Sequence, residues 1–126
     1  MVEIGVKQLI AEANSQVESV SAAEAADLLG KEHVVFVDVR EADERRQGFI
    51  PGSVHVPRGF LEFIADPDGP AHNAVLSSGK VLVLYCASGM RSLLAAKRLQ
   101  DMGLTKVYNL SGGMHGWALG GGAVSH

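Results

Sequence analysis

The sequence has only one cysteine, Cys86, in 126 residues. That excludes an internal disulfide and a cysteine-rich zinc site, and it suits a reducing, cytoplasmic setting. Long apolar runs are missing as well: no stretch approaches the ~18 residues that a membrane span needs. The amino-terminal "MVEIGVKQLIAEANS" carries a charge every few residues and has no unbroken apolar centre, so it does not read as a signal peptide. Nor is there an excess of charge of one sign. Eleven Lys and Arg against 14 Asp and Glu give −3, which offers no bulk attraction to nucleic acid or an anionic membrane. None of the five histidines stands at metal spacing with a second ligand type, so all five are expected as solvated or core residues and no metal site is expected.

What remains is an ordinary globular composition, 47% hydrophobic and 20% charged. The length suits one domain, in which roughly two thirds of the unfolded surface is buried. Segments of two kinds alternate. "VKQLIAEA" has helical spacing, with Val6, Leu9, Ile10 and Ala13 on one face. Ser21 and Glu24 form a capping box that opens a helix reaching about Leu29, and Gly30 closes it. "HVVFVDV" and "KVLVLYC" are apolar enough to be strands buried on both faces, and "SVHVP" and "KVYNL" are shorter ones. Between them lie a short charged helix in "READERRQG", another in "RGFLEFIAD", and an amphipathic helix in "RSLLAAKRLQDMG". That last helix turns Leu93, Leu94, Ala96 and Leu99 inward and ends at Gly103. "PDGPAHNAVLSSG" reads as loop and helix edge, and "SGGMHGWAL" as a glycine turn and terminal helix in which Trp117 packs on the sheet. The expected division is a lead-in helix over 1–18, a domain over 19–119 and a flexible tail over 120–126. Buried strands alternating with helices predict an α/β domain whose parallel sheet is covered on both faces. Such sheets bind ligands at the carboxyl ends of their strands, where Cys86 falls.

After the strand come Ala87, Ser88, Gly89, Met90 and Arg91, and then the helix. A helix amino terminus leaves about four backbone N–H groups unpartnered and carries a partial positive charge. A loop curled around the thiol, with Gly89 giving it freedom, points those amides at sulfur and favours the thiolate. The same cradle suits an anionic tetrahedral group paired with Arg91. A lone cysteine after a buried strand also suits a small core hydrophobe. The strand–loop–helix setting, the glycine and the arginine favour the reactive reading. A cation at a helix start opposes the dipole, so Arg91 calls for an anionic partner.

In order along the chain, "VDVRE", "GFIPGSVHVPRG", "YCASGMRS" and "NLSGGMHGW" resemble the motifs of a single-domain rhodanese, from about Ser19 to Trp117. The resemblance implies a five-stranded parallel sheet with helices on both faces. It implies an active loop over Cys86–Arg91 that holds a cysteine persulfide, and no cofactor. The implied donor is thiosulfate, and the implied acceptor is cyanide, a low-molecular-weight thiol or a protein thiol. Substrate contacts are expected from Ala87, Ser88, Gly89, Met90 and Arg91, with Met90 making an apolar rim. The resemblance also lets Arg58 face the loop and add positive charge there, although a solvated arginine at a helix start fits equally; Glu62, at i, i+4, is placed to pair with it. Asp38 and Arg40 are expected to brace neighbouring loops. Related phosphatases use Cys-x5-Arg; the Cys-x4-Arg of Cys86 and Arg91 is tighter and suits a sulfane sulfur. A persulfide carrier that docks to a partner enzyme is the alternative, and phosphatase or arsenate reductase activity is a more remote one.

Overall fold

In the computed structural model, which describes residues 1–126, the apolar runs become five parallel strands. They are β1 (Glu18–Val20), β2 (Val34–Asp38), β3 (Val54–His55), β4 (Val81–Tyr85) and β5 (Val107–Leu110). The sheet order is β1-β5-β4-β2-β3, which puts β4 in the middle. Strand alternation sorts the side chains between two cores. Val37, Leu82, Leu84 and Val107 face one way, against α1 (Val6–Gln16), α4 (Leu61–Ala65) and α5 (Met90–Asp101). Phe36, Val83, Tyr85 and Leu110 face the other way, against α2 (Ala22–Leu28) and α6 (Gly113–Leu119). The short α3 (Ala42–Arg46) buries none of its residues. The expected α/β architecture with helices on both faces is present, with five strands.

The local signals act as their chemistry requires. Ser21 Oγ accepts from the Glu24 amide at 3.1 Å, and Glu24 Oε1 accepts from the Ser21 amide at 3.0 Å. In α5, Leu93, Ala96 and Leu99 are buried and Leu94 is partly covered. Gly103 at φ +107° ends that helix, and the Leu104 amide returns to the Leu99 carbonyl at 3.0 Å. The edge strand β1 is not among the four strands that the residue pattern picks out. It has three residues and only one apolar side chain, so it owes its structure to pairing with β5. The "RGFLEFIAD" helix is divided: a 3-10 turn at Arg58–Phe60 precedes α4. The apolar face of α1 is only half covered, because Ala13 is buried while Val6 and Leu9 stand in solvent.

Residues 120–126, expected as a flexible tail, make contacts back to the domain. Phe49 and Ser125 exchange two backbone hydrogen bonds, at 2.9 and 2.8 Å. The Trp117 indole N–H donates to the Ala123 carbonyl at 2.8 Å. The same indole meets Phe36 with ring centroids 5.9 Å apart, which closes the second core.

Gly112 and Gly113 both have positive φ, +79° and +57°, so the chain turns sharply from β5 into α6. The turn sets the start of α6 directly beneath residues 86 and 87. A Cβ on Gly113 would lie 2.6 Å from the Cys86 and Ala87 carbonyl oxygens. Gly113→Ala therefore meets backbone that cannot yield, in a conformation that disfavours a side chain. The expected cost is about 3 kcal/mol of stability, read as a lower urea midpoint with an unchanged slope.

Candidate active site

The loop after β4 is built from its carbonyls outward. The Met114 amide donates to the Cys86 carbonyl at 2.8 Å, and the His115 amide donates to the Ala87 carbonyl at 3.0 Å. Asn109 Nδ2 and the Leu93 amide both donate to the Gly89 carbonyl, at 3.0 and 3.2 Å. A peptide's C=O and N–H point in opposite directions, so tying the carbonyls to α6, β5 and α5 turns the loop amides inward. Gly89 permits the curl at φ +105°; a Cβ there would press on the Gly112 amide at 3.3 Å.

The sulfur lies inside this ring. Cys86 is 1% exposed, and its Sγ accepts from the Gly89 amide at 3.1 Å, the Ser92 amide at 3.4 Å and the Ser92 hydroxyl at 3.4 Å. Burial pushes the thiol up. The Ser92 hydroxyl and the amides of Ser92, Gly89 and Ser88 outweigh it, so the thiol lies below its ordinary range. The Met90 and Arg91 amides have no acceptor in the chain and are free to bind one. Cys86 belongs to the apolar core on its outer side, yet its flanking amides face it, so packing and cradle coexist at one atom.

Ser92 and Asn109 were not among the expected site residues. Ser92 Oγ lies 2.6 Å from Asn109 Oδ1, and both residues are buried. The hydroxyl has one proton and two acceptors. Beside a neutral thiol it donates to Asn109; beside a thiolate, the charge draws it to sulfur. Ser92 is next to Arg91 in sequence and could have been found from the free amides of the first helical turn. Asn109 carries no such local signal, because only the sheet brings it to the loop.

Arg91 has the anionic partner it calls for, and that partner is within the protein. Its Nη1 and Nη2 meet Glu44 Oε1 and Oε2 at 2.8 and 2.9 Å. The Arg91 hydrogen bonds hold the Glu44 carboxyl down at about 2, and Glu44 in turn raises Arg91 further. The sulfur of Cys86 is a second, smaller negative influence on Arg91. Ser88 and Met90 are exposed, Met90 to 63%, as a rim would be. Arg58 pairs with Glu62 Oε1 at 3.1 Å, as the i, i+4 spacing allows, and lines a groove with Leu9, Leu94 and Arg98, none of them a loop residue. Asp38 and Arg40 form the brace expected of them, joined by Arg45: Arg40 and Arg45 reach Asp38 Oδ2 at 2.9 and 3.1 Å.

Beside the loop runs a groove of about 370 Å³ lined by Arg40, Glu44, Gln47, Ala87, Met114 and His115, among others. Another depression, bounded by Leu76, Lys80, Leu104 and Lys106, opens at the amino ends of β4 and β5, away from the sulfur.

A single cysteine in a cradle of amides, at the carboxyl end of the central parallel strand, defines a class of active loop. Residues 21–119 match the rhodanese-like domain, and the chain belongs to that family. It is 37% identical over 86 residues to a putative sulfurtransferase of Bacillus subtilis, covering 68% of this chain and 75% of that one. It is 30% identical over 105 residues to the human thiosulfate:glutathione sulfurtransferase, covering 79% and 91% of the two chains. Among solved structures, a Rhodopseudomonas palustris protein of unknown function, described as a possible tyrosine phosphatase, superposes with a TM-score of 0.95 at 42% identity. The match covers 99% of this chain and 97% of that one.

If the Ser92 hydroxyl steadies the thiolate, Ser92→Ala moves the midpoint of the alkylation-rate profile to higher pH. The wild-type thiol, being depressed, keeps its reactivity below the ordinary thiol range and loses it only as pH falls through its own lowered value. At neutral pH the variant is expected to react with iodoacetamide about three- to tenfold more slowly, while at high pH the two converge.

Proposed function

We propose that this protein is a sulfurtransferase that moves a sulfane sulfur from thiosulfate or a similar donor to cyanide or a thiol, through a persulfide on Cys86. The observation that carries the reading is the convergence of the Gly89 amide, the Ser92 amide and the Ser92 hydroxyl on Cys86 Sγ. Those groups favour sulfur as an anion, and an ionised thiol attacks without a general base. The names of the Bacillus and human relatives support the same chemistry.

In the first half-reaction a lone pair of the Cys86 thiolate forms a bond to the outer sulfur of the donor. The donor's sulfur–sulfur bond breaks, and its electron pair leaves with sulfite. The charge ends on the outer sulfur of the persulfide, so no oxidant is consumed. In the second half-reaction the acceptor attacks that outer sulfur, and the Cys86 thiolate is released. The free amides of Met90 and Arg91 suit the anionic outer sulfur. The substrate contacts expected of Ala87, Ser88, Gly89, Met90 and Arg91 fit this role. Arg58, the other residue expected to contact substrate, is paired with Glu62, and this reading assigns it no step. The acceptor must come from outside, because the chain has no second cysteine to attack the persulfide.

A docking persulfide carrier shares the first half-reaction and differs in turning over cyanide poorly. The phosphatase description of the Rhodopseudomonas protein belongs to that protein. The Cys-x4-Arg ring here is a residue shorter than the phosphatase loop, so hydrolysis of an aryl phosphate is not expected. Intact mass after thiosulfate treatment tests the intermediate. A gain of one sulfur atom, lost on adding dithiothreitol, is expected of the wild type and not of Cys86→Ser. Thiocyanate formation by Cys86→Ser would overturn the reading.

A further inference from the structure

We propose that Glu44 sets the donor selectivity of the active loop, by occupying Arg91 and so disfavouring small dianionic donors relative to persulfides of thiols. The proposal rests on the sulfur-transfer reading above. Arg91 is the only charged side chain in the loop from Cys86 to Arg91. Both of its terminal nitrogens donate to the two Glu44 oxygens, a bidentate arrangement that uses two of the five guanidinium N–H groups and offsets the positive charge a sulfonate would seek. Other nearby cations are engaged as well. Arg40 and Arg45 are both held by Asp38.

Glu44 is also held from its own side. The Glu41 amide donates to Glu44 Oε1 at 3.0 Å, as the capping box of α3. The carboxylate is thus held between its own helix and Arg91 before a second anion arrives. A donor such as thiosulfate must displace a pre-positioned carboxylate or bind beside it at the cost of repulsion. A thiol persulfide brings no sulfonate and needs only the amide cradle around sulfur. Glu44 touches neither Cys86 nor any expected position of the transferred sulfur, so it is a specificity residue and not a catalytic one.

The test compares the full chain with Glu44→Gln. Glutamine at this helix position keeps an amide oxygen for the Glu41 N–H, so the cap survives while the charge is lost. Each protein is given thiosulfate or glutathione persulfide as donor, with cyanide as acceptor, and sulfur loading is checked by intact mass. The variant is expected to show a KM for thiosulfate about three- to tenfold lower, a kcat within about twofold, and little change with the persulfide. An unchanged or higher KM for thiosulfate, with normal sulfur loading, would overturn the proposal alone. An equal gain with both donors would also overturn it, because the effect would then not be selectivity. Failure of the wild type to gain sulfur from either donor would overturn the underlying reading, and this proposal with it.

Discussion

The orientation of three peptide groups carries the site. The carbonyls of Cys86, Ala87 and Gly89 are each bound by a donor outside the loop: two amides of α6, the side chain of Asn109 and the Leu93 amide. Were those carbonyls free, the loop could flip its peptides and present oxygen to the sulfur, which would destabilise an anion there. Because they are fixed, the N–H groups of the same peptides, those of Ala87, Ser88 and Met90, keep one direction before any substrate arrives, and the Gly89 and Ser92 amides meet the sulfur within the curl so held. Preorganised donors of this kind need no rearrangement when charge develops, which is why they stabilise it more than water does. Gly113 serves the same end, since only a residue without Cβ lets α6 approach the loop this closely.

The balance at the sulfur is between burial and hydrogen bonding. A thiolate at 1% exposure loses nearly all its hydration. Uncompensated, that would hold Cys86 neutral and inert, as in a core cysteine. Hydrogen bonds to a charged group contribute about 1.5–3 kcal/mol each. Burial is the largest single influence on the thiol, but the Ser92 hydroxyl and the amides of Ser92, Gly89 and Ser88 together outweigh it, and the net shift is downward. The surroundings that the two readings call for, apolar core and amide cradle, meet at one residue: Cys86 belongs to the core cluster of Leu93 while its sulfur accepts from the cradle.

What sequence reading reached, and what it missed, divides by distance along the chain. The strand before Cys86, the curl at Gly89 and the helix after Arg91 are set by adjacent residues, and all were readable. So was the Arg58–Glu62 pair, four residues apart on one helical turn. The partner of Arg91 was not: the need for an anion followed from the helix dipole, but Glu44 is 47 residues away and meets it only through the fold. Asn109 is 17 residues from Ser92, on the neighbouring strand. The strand β1 and the returning tail are likewise products of pairing with distant partners, β5 and Phe49, and their own residues announce little.

The sign of the local field then depends on what stands on each side of the sheet. Tyr85 and Cys86 are adjacent, so their side chains leave β4 on opposite faces. The Tyr85 hydroxyl donates to Asp38 Oδ2 at 3.2 Å and accepts from the Ile50 amide at 3.1 Å. Asp38 is fully buried, and its register partner across the sheet is Tyr85 itself. A bare carboxylate one residue from the nucleophile would oppose the thiolate. Two guanidinium groups bind it instead, and Arg40 also lies 5.5 Å from the Tyr85 ring centroid, so that cluster carries one net positive charge. Burial raises the Asp38 carboxyl and the two arginines lower it further, which keeps the cluster ionised wherever the thiolate exists. In front of the sulfur, Arg91 and Glu44 cancel. With the charges on both sides already paired, what lowers the Cys86 thiol is its own hydrogen bonds, from the Ser92 hydroxyl and the amides of Ser92, Gly89 and Ser88.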